Sequence, residues 1–76
     1  MKEILEILIK SLVDNKEQVQ ITEKQEEKST LFEVKVSEND MGKVIGKQGK
    51  IAKSIRNIMK SVAAKEHKKV VVEFID

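Results

Sequence analysis

Gly46-Lys47-Gln48-Gly49 is the stretch that most narrows what this chain can become. Val44-Ile45 precede it directly, and Ile51, Ile55 and Ile58 follow at helical spacing. Two glycines three positions apart, between two helical patterns, make a tight break. Glycine has no Cβ, so it takes φ > 0 cheaply and leaves room for another backbone. The N–H groups that open the next helix lack intrahelical partners and carry the positive end of its dipole, a ready anion site. Lys47 puts a mobile positive charge between the glycines, and Lys43, Lys50 and Lys53 lie close in sequence. The arrangement reads as a clamp for a phosphate backbone.

Charge is distributed to match. The net charge is only +2. Residues 1–40 carry six lysines against ten acids, and residues 43–69 carry eight lysines and Arg56 against Glu66 alone. A basic block around a glycine turn implies a polyanionic partner more strongly than the overall balance does. A lysine run by itself is most often a solvated helix face; its coincidence with Gly-x-x-Gly reverses that reading.

At 76 residues the chain forms one domain, which buries only roughly 60% of its unfolded surface. It has no cysteine, so neither a disulfide framework nor a thiolate metal site is available. No apolar run is long enough to span a membrane. Glu3, Glu6 and Lys10 interrupt the apolar N-terminal stretch, which is therefore an amphipathic helix rather than a signal peptide. A cytoplasmic protein is expected.

Along the chain, residues 2–14 read as helix, with Ile4, Leu5, Leu8, Ile9, Leu12 and Val13 in one arc. Residues 17–24 read as a strand, residues 25–28 as a charged hairpin turn, and residues 30–37 as a second strand with Phe32, Val34 and Val36 on one face. Ser37-Glu38-Asn39-Asp40 has the spacing of a helix N-cap. A short helix to Ile45 follows. A longer one over 50–65 has the apolar arc Ile51, Ile55, Ile58, Met59 and Val62, with Lys53, Arg56 and Lys60 opposite. Residues 69–75 read as a third strand: Val70, Val72 and Phe74 face the core, while Val71 and Ile75 fall on the other face as isolated surface residues or a partner surface. The order α-β-β-α-α-β predicts a two-layer α+β domain, a three-stranded sheet with three helices on one face.

The string Val44-Ile45-Gly46-Lys47-Gln48-Gly49-Lys50, continuing to Ile55, resembles the core motif of the KH-domain family, V-I-G-x-x-G with its helical stripe, and Asp40-Met41-Gly42-Lys43 resembles the entry to it. The element order resembles the type II, bacterial arrangement. Over nearly its whole length the chain is similar to the small single-KH proteins of bacteria, the KhpA type. The resemblance implies single-stranded RNA binding, with a Gly-x-x-Gly loop that clamps the backbone of about four nucleotides. Bases would lie in a groove between that loop with its helices and the sheet edge with its variable loop. Carried over, Gly46 and Gly49 permit close approach, Lys47 and Gln48 meet phosphates or sugars, and Lys43, Lys50 and Lys53 supply the surrounding field. Ile45 is a groove-floor candidate and equally a core residue. The residues do not separate RNA from single-stranded DNA; the resemblance favours RNA. It also implies a homodimer, or a heterodimer with a larger Jag-type KH protein, and a small RNA chaperone or post-transcriptional regulator linked to cell division and envelope growth.

Composition agrees with this groove type. The chain has no Trp or Tyr, and its two phenylalanines fall on strand faces expected in the core. RRM and cold-shock folds stack bases on exposed aromatics, which are missing here. An enzyme is not expected. The only histidine, His67, sits at a helix–strand junction without a partner to make it a base. Ser54 and Ser61 lack a neighbouring acid or histidine at helical spacing, and no metal-ligand or cofactor pattern appears. The loop lacks the Gly-Lys-Ser/Thr ending of a P-loop. The alternative to nucleic-acid binding is a protein-interaction module that keeps the KH fold, with the glycines as a structural turn only.

Overall fold

The computed structural model describes residues 1–75; Asp76, the last residue of the expected domain, lies outside them. Helix α1 (Lys2–Leu12) leads through a 3₁₀ turn at Lys16–Gln18 to strands β1 (Gln20–Gln25) and β2 (Ser29–Lys35). Helix α2 (Met41–Ile45), a 3₁₀ turn at Lys47–Gly49 and helix α3 (Lys50–Lys65) follow, and β3 (Lys69–Ile75) ends the chain. The sheet order is β1-β2-β3, antiparallel between β1 and β2 and parallel between β2 and β3. A parallel pair cannot be joined by a hairpin; the α2–α3 pair is the crossover that joins it. This is the α-β-β-α-α-β, two-layer α+β arrangement expected from the sequence.

β2 is central, and its alternation sets the core. Phe32 and Val34 are fully buried beneath the helices, and Phe32 pairs with Val72 of β3. Leu5 and Ile9 of α1, Val44 of α2, and Ile55, Met59 and Ala63 of α3 close over them. The opposite face pairs Leu31 with Val71 and Lys35 with Ile75. Both outer strands end the sheet in ways that discourage pairing with another chain. β1 is short and charged, with Lys24 reaching Glu33 at 3.1 Å, and Arg56 covers part of the β3 edge.

Several local expectations shift. The first strand begins at Gln20 rather than residue 17, because Gln18 and Val19 donate to the carbonyls of Asn15 and Lys16 and close a turn there. The second strand ends at Lys35. α1 stops at Leu12, two residues early. Ser37 does not cap a helix with its side chain; its hydroxyl donates to Asp40 at 2.9 Å. Ile4 and Ile58, expected in the buried arcs, are 39% and 43% exposed. Each lies on the flank of its helix's buried stripe, and a sheet of three strands is too narrow to cover such flanks.

Candidate nucleic-acid interface

The turn between α2 and α3 is built on backbone angles that its sequence both permits and strains. Gly46 sits at φ 77°, ψ 175°, a region essentially closed to other residues. A Cβ there would meet the Ile51 side chain at 2.6 Å. Gly49 is left-handed at φ 72°, with open space where its Cβ would be. Between them Gln48 also takes φ 57°, an uncommon angle for a residue with a side chain. Gly46→Ala therefore combines strain with overlap and should cost about 2–3 kcal/mol. Gly42→Ala, in open space within α2, should change stability by no more than about 1 kcal/mol, and in the favourable direction. Urea denaturation of the two variants checks the contrast.

Two of the turn's donors are spent internally: Gly49 donates to the Gly46 carbonyl at 3.2 Å, and Lys50 to that of Lys47. Lys47 and Gln48 lie between these bonds, on the segment that links α2 to α3. A turn of this kind gathers successive N–H groups into a concavity suited to an anion, at the positive end of a 16-residue helix. Lys47 and Gln48 are exposed on its tip, and Lys50 and Lys53 on the adjoining face. Among the described residues no carboxylate lies within 4.0 Å of the ammonium groups of Lys47, Lys50 or Lys53.

Lys43 is differently placed. Its ammonium is hydrogen-bonded to Asp14 and lies 3.4 Å from Asp40. The Asp14 carboxylate holds the Lys43 ammonium above the ordinary lysine range, with Asp40 adding to the effect and desolvation opposing it. Its charge is largely answered within the protein. Ile45 is half-buried and packs against the core cluster.

Asp40 is the hub behind this arrangement. It is 1% exposed, yet every one of its partners is a donor. The backbone N–H groups of Asp14 and Asn15 reach its two oxygens at 3.2 and 2.9 Å. The Asn15 amide and the Ser37 hydroxyl donate to Oδ2 at 3.2 and 2.9 Å. The Asn15 N–H above all holds this carboxyl far below the usual carboxylate range, outweighing desolvation. One side chain thus ties the end of α1 to the start of α2, and so fixes the helix that carries the loop. Sequence reasoning missed it. The signal was the Ser37-x-x-Asp40 spacing, which reads equally as a cap.

A groove of about 350 Å³ runs beside the loop, between α3 and the free edge of β3. Lys53, Arg56, Asn57 and Lys60 form its helical wall, and Val70, Val71 and Val72 its strand wall. Arg56 spans it, donating from Nε to the Val72 carbonyl at 3.0 Å with its guanidinium 5.4 Å from the Phe74 ring centroid. The groove has an apolar wall, a cationic wall and an open top, which suits bases below and phosphates above. The basic stripe Lys53, Arg56, Lys60 is legible in the sequence, but its apposition to the strand edge is not.

The model of the KhpA/KhpB KH domain matches residues 2–74. A protein of Clostridium perfringens named RNA-binding protein KhpA is 60% identical over 75 residues, covering 99% of this chain and all of the relative. The protein of that name from Clostridium acetobutylicum is 56% identical over the same shares. The one from Aquifex aeolicus is 43% identical over all of this chain and 96% of its own. A family match over nearly every residue, on a fold whose loop and groove have the geometry just described, places this chain in the KhpA/KhpB family of KH domains.

Proposed function

We propose that this chain binds single-stranded RNA, with the Gly46-Lys47-Gln48-Gly49 turn gripping the backbone and the α3–β3 groove taking the bases. The observation that carries this is the sharp, exposed turn at Lys47 and Gln48, held by positive φ at Gly46, Gln48 and Gly49 ahead of the α3 N-terminus. In that turn Gly49 leaves open space for a second backbone, beside the Lys47, Lys50 and Lys53 ammonium groups, which among the described residues no carboxylate approaches within 4.0 Å. The names of the relatives, RNA-binding proteins, support the same reading. Lys47, Gln48, Lys50 and Lys53 contact the strand. Gly49, with open space where a Cβ would be, permits its approach, and Gly46 shapes the turn against Ile51. Ile45 packs against the core cluster and does not line the α3–β3 groove, and Lys43 acts chiefly by fixing α2.

In amide-resolved NMR titration with short RNA oligonucleotides, the peaks of residues 43–53 should move first and furthest. If those stay still while others shift, the clamp is wrong. Affinity of the lone domain should be micromolar or weaker. It should also fall with salt, with a log–log slope of about −0.7 for each phosphate neutralised. A flat salt response would contradict contact through the basic block.

The role we assign is that of a cytoplasmic RNA chaperone or post-transcriptional regulator, connected with cell division and envelope growth. It works as a homodimer or with a larger Jag-type KH protein. Exposed Ile4, Ile7 and Ile58, the last two 69% and 43% accessible, favour such association. Pairing would raise RNA affinity through effective concentration. Light scattering should detect a dimer at high protein concentration; a strict monomer there would remove the avidity argument.

A further inference from the structure

The α3–β3 groove does not end where its bases should. Past Lys60 it opens into a second compartment of about 370 Å³, lined by Ser29, Lys60, Lys68, Lys69, Val70 and Val71. The two spaces share Lys60, Val70 and Val71, so they form one continuous track. Among the described residues the second contains three lysines and no carboxylate. The nearest acid to its charges is Glu66, whose carboxylate lies 3.8 Å from the Lys68 ammonium; both are solvated, and such a pair contributes little. Val71, 47% exposed, offers an apolar floor. Beyond Lys68 and Lys69 the next recess brings Glu26 and Glu27 of the β1–β2 turn, with Lys28 between them and the strand, beside the same two lysines.

The clamp and this compartment lie at opposite ends of α3. Lys60 stands ten residues beyond Lys50, about 15 Å along the axis, and Lys68 and Lys69 lie past the far end of the 16-residue helix, which is about 24 Å long. A KH clamp holds about four nucleotides. We infer that the compartment of Lys60, Lys68, Lys69 and Val71 is an accessory subsite for the next one or two nucleotides of the same strand. It takes a phosphate between the lysines and rests a base on Val71, and Glu26 and Glu27 of the β1–β2 turn border its far side. This rests on the single-strand reading above and assigns it a length.

The test is a length series of oligouridylates of four, five, six and eight nucleotides. Binding is measured by fluorescence anisotropy at physiological salt for the parent and for Lys68→Gln/Lys69→Gln. Both lysines lie well beyond a Debye length, about 8 Å, from the loop, so the variant should bind the tetranucleotide as the parent does. The parent should gain about tenfold between four and six nucleotides, with a salt slope steeper by about 0.7 per added phosphate, and little more at eight. The variant should keep only the small gain that extra binding registers give any longer oligomer. An equal length gain in parent and variant, or no gain in the parent, overturns the subsite. If the parent binds none of the oligomers, the single-strand reading itself fails and takes the subsite with it. Binding of the tetranucleotide that is unaffected by charge reversal at Lys47 and Gln48 shows a strand seated elsewhere and overturns both.

Discussion

A Lys47→Asp/Gln48→Asp variant should bind single-stranded RNA at least about tenfold more weakly than the parent, with an unchanged far-UV circular dichroism spectrum. The expected loss is about 1.4 kcal/mol for each factor of ten. Two carboxylates would stand where phosphates must sit, beside the amides of the same two residues. The fold should survive, for local reasons. Both side chains are exposed, so no packing is lost. Aspartate is among the few side chains that tolerate a left-handed backbone, so it accepts the angle that Gln48 adopts, φ 57°. Unchanged affinity would mean the loop is a structural turn, and the chain would then be better described as an interaction module on a KH fold.

Asp40→Ala should be strongly destabilising. It strips acceptors from two backbone N–H groups, the Asn15 amide and the Ser37 hydroxyl at once, and leaves Lys43 with Asp14 alone. Orphaned buried donors are costly, and in a domain of this size the melting temperature should fall by about 10–20 °C. Asp40→Asn keeps the volume but turns a donor toward donors, so it should be nearly as harmful. A drop of less than about 3 °C in either variant would show that the hub is dispensable. The same carboxylate predicts acid sensitivity of a definite sign. Its folded-state pKa lies below its ordinary value of 3.8, so its contribution is complete above pH 3.8 and is lost progressively as pH falls further. Acid unfolding followed by circular dichroism should begin below that pH in the parent. Asp40→Asn should lose this part of the pH dependence.

Much of the architecture was legible because it follows from periodicity. Phe32, Val34, Val70 and Val72 recur at every second position of their strands and are buried where that period put them. α3 spans the expected residues because Gly49 opens it and nothing within it breaks the pattern. The misreadings fall where one spacing has two physical meanings. Ser37-x-x-Asp40 suits a cap and suits an internal acceptor, and only the arrival of Asn15 from 25 residues away selects the second. Ile58 suits the apolar stripe, yet no element reaches it. Lys43 belongs to the basic block by position and to an acidic pair by contact.

By itself, the sequence determined the element order, the inward face of each strand and the place of a bend that only glycines can make. Those properties depend on neighbours within a few residues, whose geometry is fixed by covalent structure and side-chain alternation. Tertiary structure alone decided which lysines stay unpaired, that a buried aspartate anchors the loop's helix, and that α3 meets the edge of β3 to form a track longer than the clamp. Each of these depends on groups brought together from distant positions in the chain, where charge and space are apportioned only once the core has closed.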